Sequence, residues 1–186
     1  MVRVPGMNNV VIEVQVRAVL PTSGGCAVFL GNDDKVFVIY VDTMVGAAIS
    51  MFMRGTPKER PQTHDLIGSM LMALGGKVDR VVVNDFLDKV YFARIIVSVE
   101  NEIQEKKIAE IDARPSDGIA MAIQQEAPIF IAEHVWEAVE DMSDVLRKME
   151  ARGFQLEDEE GSGEEEGGLG DEFDEGFGEG GGGKII

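Results

Sequence analysis

The chain has 186 residues, 45% hydrophobic and 27% charged, with a formal net charge of −17. That length suits one compact domain with an appendage. The apolar runs fall well short of a membrane span, Met1–Met7 lacks a signal-peptide core, and a single cysteine, Cys26, excludes an intrachain disulfide; a cytoplasmic, reducing setting is expected.

The acidity is concentrated at one end. Of 34 acids and 17 bases in the chain, residues 155–186 hold 12 and 1, so residues 1–154 hold 22 and 16. Eleven of the 22 glycines also fall in 155–186. High like charge and few apolar groups cannot offset ordering entropy, so 155–186 reads as a disordered acidic tail after a domain over residues 8–154. The folded part is mildly acidic and carries no basic stripe of the kind that gives non-specific nucleic-acid affinity.

In chain order, Val11–Leu20 alternates apolar and polar residues, as a half-buried strand does. Cys26–Leu30 and Val36–Val41 follow, each after a turn, and the three read as an antiparallel meander; Cys26 reads as a small buried hydrophobe. A helix is predicted from Thr43 to Arg54, capped by Asp42 or Thr43 and stopped by Gly55. Its residues are apolar nearly all round, so burial on most sides is expected. A second helix runs from Thr63 to Leu74, with Thr63 as N-cap and Leu66, Ile67, Met70, Leu71 and Leu74 as its buried stripe. Val78–Asn84 and Val90–Val99 form a hairpin around Asp85–Lys89, and Lys107–Ile111 is a short strand. A third helix starts at Pro115, capped by Asp112 or Ser116, and ends before Ala127-Pro128. Ile129–Ile131 is a brief strand. One last helix is predicted from Glu133 to Arg152 on the 4, 3, 4, 3 spacing of Val135, Val139, Met142, Leu146 and Met149. The fold class is α+β, a mostly antiparallel sheet with helices packed against it.

There is no Walker loop, dinucleotide fingerprint or nucleophile-elbow serine, and two histidines with one cysteine leave too few ligands for a structural zinc. Two polar knots at helix starts remain, and they are expected to meet in space. The first is Arg60-Pro61-Gln62-Thr63-His64-Asp65. His64 reads as a general base or, with Asp65, as a metal ligand; the alternative is that Asp65 complements the helix dipole and His64 bonds a neighbouring strand. The second is Asp112-Ala113-Arg114-Pro115-Ser116-Asp117. Asp112 and Asp117 would hold a hard divalent cation while Arg114 neutralises a phosphate; the alternative is that Arg114 pairs with Asp117 or Asp65 and the acids satisfy helix N–H groups. Asp85 is an outlying candidate, and His134 reads as structural.

The segments Arg60–Val78, Val83–Ile95 and Ile111–Ile131 together resemble the bifunctional nuclease domain, over roughly Val10 to Glu133 in unbroken order. The resemblance implies an α+β roll and a nuclease that cuts RNA and DNA, found in bacteria and plants. It places the family's motifs on Arg60, Pro61, Thr63, His64 and Asp65, and on Asp112, Arg114, Pro115, Ser116 and Asp117. On this reading Asp112, Asp117, His64 and Asp65 are catalytic; Arg60, Arg114, Ser116 and Thr63 bind substrate; Asp112 and Asp117 hold Mg²⁺ or Mn²⁺. The expected partners are RNA or DNA and further copies of the chain, as a homodimer or higher homo-oligomer, with no membrane. Two positions depart from the family pattern. Val45 stands where a glutamate is usual, and Gly118 stands where alanine is usual.

Overall fold

The alternating N-terminal stretches pair as a meander. The computed structural model describes residues 2–3, 10–100 and 106–151. Its eight strands are β1 (Val2–Arg3), β2 (Val10–Thr22), β3 (Gly25–Gly31), β4 (Val36–Val41), β5 (Gly76–Leu87), β6 (Val90–Glu100), β7 (Lys106–Ala113) and β8 (Ile129–Ala132). They form one sheet in the order β4-β3-β2-β8-β5-β6-β7, with β1 on β2. Every pairing is antiparallel except β5 with β8, so the fold is the expected α+β with a mostly antiparallel sheet. The long strand β2 joins the two halves. It pairs β8 through Val11–Val14 and β3 from Gln15 onward, with a register irregularity between Val16 and Ala18.

Helices α1 (Thr43–Arg54), α2 (Thr63–Ala73) and α3 (Pro115–Gln124) lie on one side. The main core forms there, from Val28, Leu30, Phe37 and Ile39 of the meander, Val81 and Val83 of β5, Ile129 and Ile131 of β8, and Ile119 of α3. Helix α1 starts and stops where its sequence predicts. Asp42 caps it by accepting the Val45 N–H at 3.0 Å, and Gly55 ends it in the left-handed region at φ 61°. It is less enclosed than its composition suggests: Val45, Gly46, Ala48 and Ile49 are buried, but Met44 is exposed.

The structure departs from the sequence expectations at several other places. The stripe expected to bury α2 faces outward: Leu66, Ile67, Met70 and Leu74 are exposed, and the buried residues of that helix are His64 and Gly68. Its N-cap is Gln62 rather than Thr63. Strand β7 runs on through Asp112, so neither Asp112 nor Ser116 caps α3; Arg114 takes the N-cap position with Pro115 in the first turn. The hairpin turn tightens to Asp88-Lys89, both at positive φ, because β5 continues past a register shift at Val83/Asp85 to Leu87.

The helix expected over Glu133–Arg152 is two helices, α4 (Glu133–Ala138) and α5 (Ser143–Ala151). Its apolar spacing is shared between two cores. Val135 and Val139 enter the main core, whereas Met142 and Leu146 join Ala27, Phe29 and Val36 on the opposite face of the meander. The chain passes round the edge strand β4 by breaking between the helices, and Met142 N–H bonds the Val36 carbonyl at 2.7 Å. Lys35 closes α4 by donating to the carbonyls of Trp136 and Val139. The expected tail, Gln155–Ile186, lies outside the described residues.

Close packing of α1 on β3 gives a direct test of the fold. A Cβ at Gly46 would lie 2.4 Å from the Cys26 sulfur and 2.5 Å from its Cβ. Gly46→Ala should therefore destabilise the protein by about 1–3 kcal/mol despite alanine's better helix propensity. Urea denaturation checks this; an unchanged or raised midpoint would refute the packing.

Candidate functional site

The start of α2 and the start of α3 meet beside the end of α1. His64 is buried on the inner side of α2, and its Nε2 lies 3.2 Å from Asp117 Oδ1. Arg114, one turn before on the same helix start, donates from Nε to Asp117 Oδ2 at 2.8 Å and from Nη2 to Oδ1 at 3.3 Å. Arg114 Nη1 also lies 4.0 Å from Asp42 Oδ2, so the α1 cap serves two groups with its two oxygens. The Phe52 ring of α1 stands edge-on to His64, 6.3 Å between centroids at 88°. Lys58 sits 3.6 Å over the other aromatic partner of that stack, the Phe52 centroid, and donates to both Asp65 oxygens at 3.0 and 2.8 Å. Asp65 in turn accepts the Gln62 N–H at 2.8 Å and so anchors the first turn of α2.

These contacts set the protonation states. Burial pulls the Asp117 carboxyl upward, but the hydrogen bonds and charges of Arg114 and His64 outweigh it and hold the group below its ordinary value. Asp65 is likewise held low, burial being outweighed by Lys58, the Gln62 amide and Gln124. Arg114 is held more firmly protonated by Asp117 and, less strongly, by Asp42. An ionised carboxylate only accepts hydrogen bonds, so in the His64–Asp117 contact the Nε2–H of His64 is the donor. Asp117 thus orients the His64 ring.

An open cavity of about 470 Å³ adjoins this cluster. Met51 and Phe52 form an apolar wall, and Lys58, Arg60, Asp65, Ser69 and Gln124 supply polar groups. Both cations come from the loop that joins α1 to α2.

The two knots therefore come together through His64, Asp117 and Arg114, with Asp65 and Arg60 alongside. Thr63 is exposed, and Ser116 is fully buried in the first turn of α3. Asp112 is not brought in. It pairs in register with Arg94, next to Ala93, and Ala93 is the residue that faces α3 at Gly118. Asp112 therefore lies on the other face of the sheet, among Arg94 and Glu110. Asp85 pairs with His134 at 3.5 Å, away from α2 and α3. Among the described residues, no three His, Cys, Asp or Glu side chains are grouped to hold a metal ion. Val45, at the position where the family usually has glutamate, is buried in the main core. The residue that sequence reasoning missed is Asp42. It was legible as a cap, but its second oxygen turns toward Arg114, and no spacing in the sequence signals that.

The family model for the bifunctional nuclease domain matches residues 28–143. The chain belongs to this family. It is also 31% identical over 104 residues to an uncharacterized protein of Mycobacterium tuberculosis, present in two strains. That match covers 56% of this chain and 58% of the relative, so the chain spans little more than half the length of the relatives it matches. No helix among the described residues is long and apolar enough to cross a membrane.

Because Asp117 is held below its ordinary value of 3.8, its contribution is fully present above that value, where the unfolded chain is also ionised. It is lost as pH falls through the lower folded value. Asp117→Asn should cost about 1 kcal/mol at pH 7, discounted for the partial exposure of the carboxylate, and progressively less in acid. Urea midpoints of both proteins across the acid range test this; parallel curves would show that the pair does not carry the linkage.

Proposed function

We propose that the chain hydrolyses phosphodiester bonds of RNA or DNA, with the His64–Asp117 pair as its catalytic dyad. The observation that carries this reading is a histidine held by an ionised aspartate at 3.2 Å, behind an open cavity that Lys58 and Arg60 line and that His64 reaches only through its neighbours Phe52 and Asp65, since neither His64 nor Asp117 lines it. His64 Nδ1 takes a proton from the attacking water or ribose hydroxyl. The new phosphorus–oxygen bond forms as the bond to the leaving oxygen breaks, and solvent protonates that oxygen. Arg114 offsets charge that develops on the phosphoryl oxygens. Lys58 and Arg60 meet the flanking phosphates, while Asp65 fixes Lys58 and the start of α2. Thr63, exposed beside His64, lies within the same substrate surface.

Asp112 and Asp117, read from the sequence as ligands of Mg²⁺ or Mn²⁺, do not fit one shared ion, because Asp112 lies on the other face of the sheet and both Asp117 oxygens are bound by Arg114 and His64.

A second reading draws on the same saturation. With Asp117 held by two partners and Val45 in the core, the cluster would be a structural brace in a nucleic-acid-binding or regulatory module. Self-association, as a homodimer or higher homo-oligomer, is compatible with either reading and forms part of the proposal.

Single-stranded RNA and DNA incubated with the purified chain, in chelator and in Mg²⁺ or Mn²⁺, separate the two. Hydrolysis predicts cleavage that His64→Gln slows by about 10²–10⁴-fold without lowering the melting temperature by more than a few degrees. A brace predicts no cleavage by the wild type and a large loss of melting temperature in Asp117→Ala. Full activity in His64→Gln would remove the dyad from the reaction.

A further inference from the structure

The outward stripe of α2 contradicts the logic of its own sequence. At about 100° per residue, Leu66, Ile67, Met70, Ala73 and Leu74 fall within roughly 120° of helix surface, the width that normally faces a core. The opposite side, with His64 and Gly68, is the side that packs inward against α3. Leu66 is 55% exposed, Ile67 46%, Met70 58% and Leu74 72%. From Leu66 to Gly76 there is no charged residue at all, in a chain of net charge −17.

We propose that this stripe is the contact between two copies of the chain, α2 of one copy packing antiparallel on α2 of the other about a two-fold axis near Met70. The inference deepens the homo-oligomer reading given above by naming the face that carries it. The occupant follows from chemistry and size. A nucleic-acid backbone or the acidic 155–186 segment would have to strip charge of water against a neutral apolar face, with no cation on the stripe to compensate. A second copy of the same stripe brings no charge to desolvate. The exposed apolar side chains amount to roughly 500 Å², at the upper end of what a monomer carries. A symmetric pair buries about twice that, near the 1,000 Å² needed for a specific interface. Because α2 holds His64 on its inner side, the pair would sit directly behind the candidate site and brace the helix that positions it.

Light scattering of the full chain across a concentration series reads the oligomeric state. The expected result is a dimer at tens of micromolar that Met70→Glu converts to monomer, with melting curves and circular dichroism showing that the variant is folded. Leu74→Glu should do the same, and Met44→Glu, an exposed methionine on α1, should not. Raising salt should maintain or strengthen the dimer, since it screens the repulsion between two acidic chains. Met70→Cys should cross-link to itself under mild oxidation, because the native Cys26 is buried. A dimer that survives both glutamate variants overturns this interface while leaving self-association standing. A monomeric wild type overturns both. A photo-reactive residue at Met70 that labels 155–186 of its own chain would assign the stripe to the tail and overturn the proposal.

Discussion

The arrangement of the polar cluster depends on how closely α3 lies on β5. Seven of its ten residues are buried: Pro115, Ser116, Gly118, Ile119, Ala120, Met121 and Ala122. The approach is set at Gly118, where even a Cβ would come within 2.9 Å of Val81 Cγ1. Val81 is itself fully buried, so it has little room to yield. The glycine weakens the helix start by its flexibility, as its composition suggests, and in exchange lets the helix settle onto the sheet. Asp117 precedes this contact by one residue and Arg114 by four. Their positions are therefore fixed by core packing rather than by the surface ion pair between them, which alone would contribute little. The same helix touches α1 and α2, so the two other parts of the cluster are docked against a common support.

Much of this fold was legible in the sequence where a signal is local. Asp42 and Gly55 bound α1 correctly because a cap and a left-handed stop act on the nearest turn. The meander followed from alternation. The failures come where one local pattern is compatible with two tertiary outcomes. The spacing of Val135, Val139, Met142, Leu146 and Met149 is helical throughout, but its members serve two cores on opposite faces of β3 and β4, and no straight helix reaches both. The α2 stripe has the periodicity of a buried face, yet periodicity does not say which molecule does the burying. Asp112 stands where the sequence offers a cap for α3, but the register with Arg94 carries β7 through it instead. Thus the meeting of His64 with Asp117 was readable as two polar helix starts, while the exclusion of Asp112 and the recruitment of Asp42 required the sheet register and the packing of α1.

The balance of charge around the cluster limits what it can recognise. Asp42, Asp65 and Asp117 face Arg114, Lys58 and Arg60, so the acids and bases nearly cancel before the protonation of His64 is considered. Arg114 is drawn toward Asp117 and Asp42, and Lys58 toward Asp65. Arg60, exposed on the cavity wall, is the cation least committed to an acid by these contacts. A phosphate chain approaching an acidic protein would meet a short, local attraction at one end of one cavity rather than a long basic track. Under the proposed function, affinity for nucleic acid should then be modest, depend on few cations and have a shallow salt dependence. Such a site would favour short or single-stranded segments that can bend into a cavity over duplex held along a surface. A glutamate at position 45 would not redress this, because that side chain enters the core beside Ile49 rather than the cavity. The carboxylate that α1 does bring toward Arg114 comes three residues earlier, from its cap Asp42 at 4.0 Å, a longer contact than the 2.8 Å made by Asp117.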